Sequence, residues 1–420
     1  MLGGDLVIYL DNNATTQPAD EVVSAIEDSL RNNWANPSSL YPDGLRARGS
    51  VDRAREQIAA LVGCSAREII LTSGGTESCN LALGGSLSDP LDSTLGSALV
   101  SKGRRCVIVT TRFEHSAVRE SAAYFADRGG EVVWLEGGPD GVIDPATLEQ
   151  ILKTRAHEIA IVSVMWANNE TGVLQPIAKL GSICRQYGVR FHSDATQWVG
   201  RMPTDLSSIE VDLLTFSAHK FHGPKGVGAL YCRRGVVIRP AIIGGPQERD
   251  RRGGTENVSG IVGMGVAAEM ATRWLSSGSD LSANVSSATG TVSIGAWSKG
   301  ETLRNQFEEL VCAGSPIAIV QARGSSRVWN TSNIAFPHLE AEAILINLAK
   351  RGVAASAGAA CSSGSLDPSP VLLAMGVAPA VAHGAIRFSL SRNTTEAEMI
   401  EGARAVNESV RLLSQSMPSA

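Results

Sequence analysis

Between residues 20 and 258, short apolar runs alternate with stretches of helical spacing. The runs at 68–72 (EIILT), 106–110 (CVIVT), 158–164 (EIAIVSV) and 211–215 (VDLLT) are rich in Val, Ile and Leu and show little polar alternation. Such runs, separated by helices, predict strands buried on both faces, hence a mainly parallel sheet in a doubly wound α/β domain. Between two of them, Asp144 and Pro145 open a segment whose Leu148, Ile151 and Leu152 fall on one helical face, which predicts a connector helix over 144–153. After Gly265 the texture changes. Residues 275–300 are rich in Ser, Gly and Thr without periodicity and predict a surface insertion or loop. Beyond them, helical spacing at 301–310, an apolar run at 317–320 and a further segment at 339–351 predict a smaller α+β domain, against which residues 6–16 pack. The expected division is a large domain over 17–264 and a small one formed by 1–16 with 265–420. No internal repeat is present.

Composition narrows the function classes. The chain has 420 residues, 43% hydrophobic and 19% charged, with formal net charge -5 and no basic run. That excludes an electrostatic case for nucleic acid or acidic membranes and favours a small-molecule substrate. No stretch approaches the roughly 20 apolar residues that span a bilayer, and the N-terminus lacks signal-peptide blocks, so the expected location is the cytoplasm. Seven cysteines scattered singly, without a CxxC pair, fit neither a disulfide framework nor a zinc site. No metal is expected, and at least one cysteine is a candidate working thiol.

Three segments carry chemistry. In 211–231 an apolar strand delivers Ser217, His219 and Lys220 to a Gly-Pro turn. A desolvated lysine there has a lowered pKa and a free amine able to form a Schiff base, with Ser217 and His219 placed to contact an anion. An isolated lysine at a strand end would more simply snorkel to solvent. In 69–80 a strand runs into Gly74-Gly75-Thr76 and a helix, the arrangement in which backbone amides meet a phosphate, although the same sequence also suits a plain capped turn. In 189–198, Asp194 ends a short apolar strand where ligands of parallel sheets collect. A carboxylate there can pair with a pyridine nitrogen, or serve only as a helix cap.

Together these segments resemble the cysteine desulfurases of the nitrogen-fixation and iron-sulfur-cluster kind, in the class V aminotransferase group of fold-type I pyridoxal-phosphate enzymes. The resemblance runs through 9–16 (YLDNNATT), 36–39 (NPSS), Gly-Gly-Thr-Glu at 74–77, Glu114-His115, 167–172 (ANNETG), 217–220 (SAHK), 252–257 (RGGTEN), Cys361 and 386–391 (IRFSLS). It implies a large domain with a mainly parallel, seven-stranded sheet, pyridoxal 5'-phosphate as cofactor, L-cysteine as substrate and a sulfurtransferase reaction. Lys220 would bind the cofactor covalently, Asp194 pair with its ring nitrogen, and His115 stack on the ring and move protons. Asn168 and Gln197 would sit near the phenolic oxygen. Gly75, Thr76, Ser217 and His219 would hold the phosphate, with Thr255 reaching across from the second subunit of a homodimer. Arg387, helped by Asn36, would clamp the substrate carboxylate, as a planar guanidinium does well. Cys361 would take the sulfur as a persulfide and pass it to an acceptor protein such as an iron-sulfur scaffold. Structural roles remain open for several of these: a core histidine for His115, a turn residue for Asn36, an ordinary ion pair for Arg387.

Two departures stand out. The stretches 275–300 and 86–102 are longer than the compact bacterial pattern, and Ala359-Ala360-Cys361-Ser362 stands where Ser-Ala-Cys-Thr is common. Neither removes a matched residue. A selenocysteine lyase shares most of these features and is the alternative. A true aminotransferase needs no such cysteine, and a silent scaffold would not need Lys220, Asp194, His115 and Cys361 together.

Overall fold

The structure, a computed structural model, describes residues 7–87, 105–277, 284–287, 290–293, 295–358 and 367–415. After the short β1 (Ile8–Tyr9), seven strands form the central sheet: β2 (Ile69–Thr72), β3 (Val107–Thr111), β4 (Glu131–Leu135), β5 (Ile159–Ser163), β6 (Phe191–Asp194), β7 (Leu213–Ser217) and β8 (Gly228–Cys232). Their order is β2-β8-β7-β6-β5-β3-β4. The ladders among β3 to β7 are parallel, whereas β8 pairs antiparallel with both β7 and β2. The expected sheet is therefore present, and the predicted runs hold β2, β3, β5 and β7. The boundaries move by a residue or two. β7 begins at Leu213, and just before it Asp212 bonds Phe191 twice, its N–H donating to the Phe191 carbonyl and its carboxylate accepting the Phe191 N–H, each at 2.9 Å.

Burial explains why these runs lack alternation. Ile70, Ile108, Val109, Ile159, Ile161, Phe191, Leu213 and Leu214 are completely buried, each contributing about 1.5–3 kcal/mol relative to an exposed side chain. The connector helix spans Pro145–Arg155, capped by Asp144, whose carboxylate accepts the Ala146 N–H at 2.9 Å. Its Leu148 and Leu152 face the core.

α1 (Asp20–Asn32) and α2 (Pro42–Val62) pack against a long helix at Val258–Ser276, and α2 and that helix share one buried apolar cluster with Leu148 and Leu152. That contact is close because of glycine: a β-carbon on Gly265 would stand 2.7 Å from the Ala54 Cα. The helix crosses residues 264 and 265 without a break. Beyond it, β9 (Asn284–Ser287) and β10 (Gly290–Ser293) pair antiparallel, with Val285 opposite Val292. The described part of the Ser-rich stretch thus holds a β-pair where a loop was expected. A helix at Trp297–Gly314 follows. A smaller antiparallel sheet has the order β11 (Ile319–Val320), β12 (Thr331–Ala335) and β14 (Ala385–Ser389), while β1 pairs parallel with β13 (Val353–Ala354). β1 thus pairs with a strand of the C-terminal region. No helix among the described residues is long and apolar enough to cross a membrane.

Candidate active site

β6 and β7 end side by side, and the parallel ladders of β3 and β5 run in the same direction, so their C-terminal ends share one edge, the usual ligand site of such sheets. A cavity of about 250 Å3 opens there, lined by Gly75, Thr76, His115, Asn169, Asp194, Thr196, Gln197, Ser217, His219 and Lys220, with Ala14, Ala117, Met165 and Ala167. A wider cleft of about 680 Å3 lies beyond the N-terminal segment, lined by Tyr9, His222, Arg273, Arg392 and Glu398 among others, and none of the sequence-predicted site residues among the described residues lines it. Among the described residues no group of three His, Cys, Asp or Glu is arranged to hold a metal.

One wall is the start of α3 (Gly75–Gly85). β2 reaches it through Gly74, whose φ of +155° lies where side chains are rarely tolerated. A β-carbon on Gly75 would come to 3.3 Å from Thr196 Oγ1, a tight approach. No side chain caps this helix start. Its amide groups and partial positive charge are the natural seat of an anion.

The floor is Asp194, the last residue of β6 and 5% exposed. Its Oδ1 accepts the Thr196 N–H at 2.9 Å, and the Cys79 thiol lies 3.9 Å from Oδ2. Glu114 is buried nearby, accepting from Met165 N at 2.8 Å and Thr111 Oγ1 at 3.1 Å. Burial, reinforced by the charge of Asp194, pushes its carboxyl up to about 8, so it stays protonated near neutrality. On the same strand as Asp194, His192 is held between Ser163 Oγ at 2.8 Å and Thr215 Oγ1 at 3.0 Å, and burial lowers it to about 4.

Lys220 sits in the turn after β7. Its Nζ donates to the carbonyls of Asn13 at 2.6 Å and Ala14 at 2.7 Å, so the N-terminal segment lies over it. His219 meets Thr15 Oγ1 at 3.2 Å and is pushed down to about 3, first by burial and then by Lys220, Lys225 and Arg201. It is a neutral ring. His115 caps the Ser116–Ala126 helix, its Nδ1 accepting the Ala117 N–H at 3.1 Å. That contact assigns the proton of the neutral ring to Nε2.

Gln197 is oriented by a residue the sequence reading overlooked. Arg201, fully buried, donates to Gln197 Oε1 at 2.5 Å, to Asn13 Oδ1 at 2.7 Å and to the Asn12 carbonyl at 2.9 Å. Burial lowers its guanidinium to about 9. The spacing of four between Gln197 and Arg201 was the available signal. Stacking of Trp166 on Trp198, with centroids 4.6 Å apart, ties this turn to the one following β5.

Four expected residues lie elsewhere. Asn168 does not line the cavity: its Nδ2 donates to the Phe113 carbonyl at 2.9 Å, and its Oδ1 accepts from Glu170 N, Thr171 N and Thr171 Oγ1. It shapes the turn, and the neighbouring Asn169 faces the cavity instead. Nothing in an Asn-Asn pair tells which one points inward. Arg387 stands behind that wall, donating to the Asn169 carbonyl at 3.1 Å and to Asp11 Oδ1 at 2.8 Å. Asn36 is on an exposed turn, accepting the Ser38 N–H at 2.9 Å. Thr255 lines a separate small cavity with Thr72, Glu248 and Arg252. Cys361 lies outside the described residues.

The site fits pyridoxal phosphate on three counts. A lysine amine, a buried carboxylate and an uncapped helix start meet in one cavity. Asn169 Oδ1 and Thr196 Oγ1 are buried there without a hydrogen-bond partner among the described residues, so a polar ligand would satisfy them. The neutral His219 offers a donor to a phosphate without competing charge.

Comparison with known proteins agrees. Residues 8–401 match the family described as Aminotransferase class-V. The chain is 42% identical over 411 residues to "Cysteine desulfurase" of Trichormus azollae, covering 97% of this chain and 94% of that one. It is 41% identical over 400 residues to "Cysteine desulfurase NifS" of Azotobacter vinelandii, covering 95% and 91%. The solved structure of a "NIFS-LIKE PROTEIN" superposes with a TM-score of 0.82 at 33% identity, covering 97% of this chain and all of that one. With fold, cavity and sequence in accord over nearly its whole length, this chain belongs to the class-V aminotransferase family, among the cysteine desulfurases.

Proposed function

We propose that the protein removes sulfur from L-cysteine, leaving L-alanine and a persulfide on Cys361 that is handed to an acceptor protein. The observation that carries this reading is the convergence of Lys220, Asp194 and the start of α3 on one cavity, in a chain whose sequence also holds Cys361.

Pyridoxal phosphate bound there supplies an electron sink next to the substrate's carbon skeleton. Lys220 would carry it, α3 with Thr76, Ser217 and His219 would hold its phosphate, and Asp194 would keep its ring nitrogen protonated. Gln197, locked by Arg201, and Asn169 offer fixed polar groups at the ring's edge. With His115 Nδ1 accepting the Ala117 N–H, the ring would carry its proton at Nε2 and give or take it there. Burial keeps the neighbouring Glu114 neutral near pH 7. Arg387 supplies the guanidinium for the substrate carboxylate, which would take up the donors now shared between Asp11 and Asn169. Cys361 receives the sulfur.

Thr255 is expected to act in the partner's site, which makes the working unit a homodimer. This agrees with its position outside the cavity of its own chain. The sulfur acceptor is an iron-sulfur scaffold or a comparable thiol-bearing protein. The proposed domains are 17–264 for the cofactor and 1–16 with 265–420 for the segment bearing Cys361. A cytoplasmic location agrees with six described cysteines that are all free thiols.

The test is product analysis with L-cysteine and a dithiol reductant. Equal alanine and sulfide from the intact protein, and neither from Lys220→Ala or Cys361→Ala, supports the assignment. Undiminished alanine from Cys361→Ala would remove the thiol from its role and favour selenocysteine lysis.

A further inference from the structure

Asn13 is 1% exposed and lies in the N-terminal segment over Lys220. Its backbone carbonyl accepts twice, from Lys220 Nζ at 2.6 Å and from Gln197 Nε2 at 3.1 Å. The Ala14 carbonyl accepts a second Lys220 N–H at 2.7 Å. Two carbonyls thus hold the amine, and the third position on its nitrogen, proton or lone pair, is turned away from both. A lysine side chain gives up rotamer freedom to be seated in this way, so the acceptors themselves must be rigid.

The Asn13 side chain supplies that rigidity. Its Oδ1 accepts from Arg201 Nη1 at 2.7 Å and from Asn330 Nδ2 at 3.1 Å. Its Nδ2 donates to the Asn169 carbonyl at 3.1 Å and to Thr331 Oγ1 at 2.9 Å. A guanidinium can only donate and a carbonyl only accept, so the amide has a single orientation. The Asn13 N–H donates to Ser389 Oγ at 2.9 Å. Every hydrogen-bonding position of Asn13 is therefore filled. Its partners come from the turns that follow β5 and β6 and from β12 and β14 of the smaller sheet. Asn13 does not itself line the cavity, so whatever it does there it does through Lys220 and Gln197.

We propose that Asn13 is a positioning residue for Lys220: its clamped side chain fixes the carbonyls of Asn13 and Ala14 as the seat of the lysine amine whenever that amine is not joined to cofactor. The inference rests on Lys220 as the cofactor-bearing lysine. The seat holds the nitrogen at the cavity before the cofactor enters. Joining the amine to the cofactor's aldehyde expels one water, and the rate depends on how the nitrogen is presented. Misplacing a reacting group by an ångström costs on the order of 100-fold.

The experiment compares full-length apoprotein of the parent, Asn13→Ala and Thr331→Val. Covalent capture of pyridoxal 5'-phosphate is followed by absorbance. Equilibrium binding is measured with pyridoxamine 5'-phosphate, which shares the ring and phosphate but has no aldehyde. Acylation of Lys220 by a small succinimidyl ester is read by peptide mass spectrometry against the exposed Lys153. Asn13→Ala is expected to slow capture on the order of 10- to 100-fold while pyridoxamine 5'-phosphate affinity is retained. Acylation of Lys220 should rise severalfold, because the reagent is not positioned by the protein and meets an amine released from its acceptors. Thr331→Val lacks only the hydroxyl that Asn13 Nδ2 meets. It should shift capture and acylation the same way by less, and it decides the matter if Asn13→Ala does not fold. Capture and acylation like the parent's, or an equal fall in capture rate and pyridoxamine 5'-phosphate affinity, would overturn the proposal. Lys220→Ala is run alongside: covalent capture persisting in that variant would sink the cofactor reading, while acylation of Lys220 in the other proteins still reports on the seat.

Discussion

Arg55 and Glu248 form a two-pronged ion pair, at 2.6 and 2.8 Å, with both side chains almost wholly buried. Glu248 also accepts the Leu71 N–H at 3.0 Å, so one carboxylate joins α2, β2 and the loop leading to Thr255. Glu248, Arg249 and Asp250 all have positive φ, between 49° and 61°, a left-handed run that only strong anchoring sustains. A second anchor, Arg252 to Glu77 at 2.9 Å, ties the loop to the first turn of α3. Removing one partner of a buried pair strands the other charge, so Glu248→Ala and Arg55→Ala should each cost about 3–5 kcal/mol. The double variant should cost clearly less than the two together, because the stranded charge is gone. Denaturant unfolding of the four proteins measures this, and simple additivity would show that the pair does not hold the loop.

The two adjacent asparagines should behave oppositely. Asn168→Ala leaves the buried Phe113 carbonyl and the Glu170 and Thr171 amides without their partner, and a destabilisation of about 1–3 kcal/mol is expected. Asn169→Ala removes a side-chain oxygen that has no partner among the described residues, so stability should change little while cofactor binding weakens. Thermal unfolding and cofactor titration on both variants decide it. Weaker cofactor binding in Asn168→Ala at unchanged stability would reverse the assignment.

That pair also marks where sequence stops being legible. The sheet could be read because β3, β5 and β7 are buried on both faces and so appear as unbroken apolar runs. Lys220, Asp194 and Gly75 could be read because strand ends and glycine turns are local features. The inward-facing member of an Asn-Asn pair is decided by the turn that Asn168 itself builds, and that depends on Phe113, far away in sequence. Arg201 escaped for the same reason, since its partner Asn13 is brought close only by folding. The β9–β10 pair escaped because NVSS and GTVS carry neither an apolar run nor an apolar-polar alternation.

Glu114 gives a pH prediction with a definite sign. The unfolded carboxyl releases its proton near pH 4.3, whereas the folded one keeps it up to about 8. Between those values the folded protein binds more protons, so this group lowers stability as pH rises. The penalty is absent below the unfolded pKa and complete above the folded one. Glu114→Gln lacks it, so the variant should gain stability relative to the parent from about pH 5 to pH 8. Urea unfolding at three pH values across that window tests this. A constant difference would mean that Glu114 is ionised in the folded protein.

His115 does two jobs that substitution can separate. As the cap of the Ser116–Ala126 helix, its Nδ1 accepts the Ala117 N–H, and as the ring lining the cavity it offers Nε2 for proton movement. His115→Ala removes both, and should cost about 0.5–2 kcal/mol for the lost cap together with a rate loss of roughly 100- to 10,000-fold for the lost proton carrier. Asparagine is a good capping residue with no titratable ring, so His115→Asn should recover the stability and none of the rate. Thermal unfolding and alanine production from cysteine, measured on both variants at saturating cofactor, distinguish the roles. If His115→Asn turned over like the parent, the ring would be a cap alone and the proton would have to move through another group at the cavity, with Lys220 the nearest candidate by chemistry.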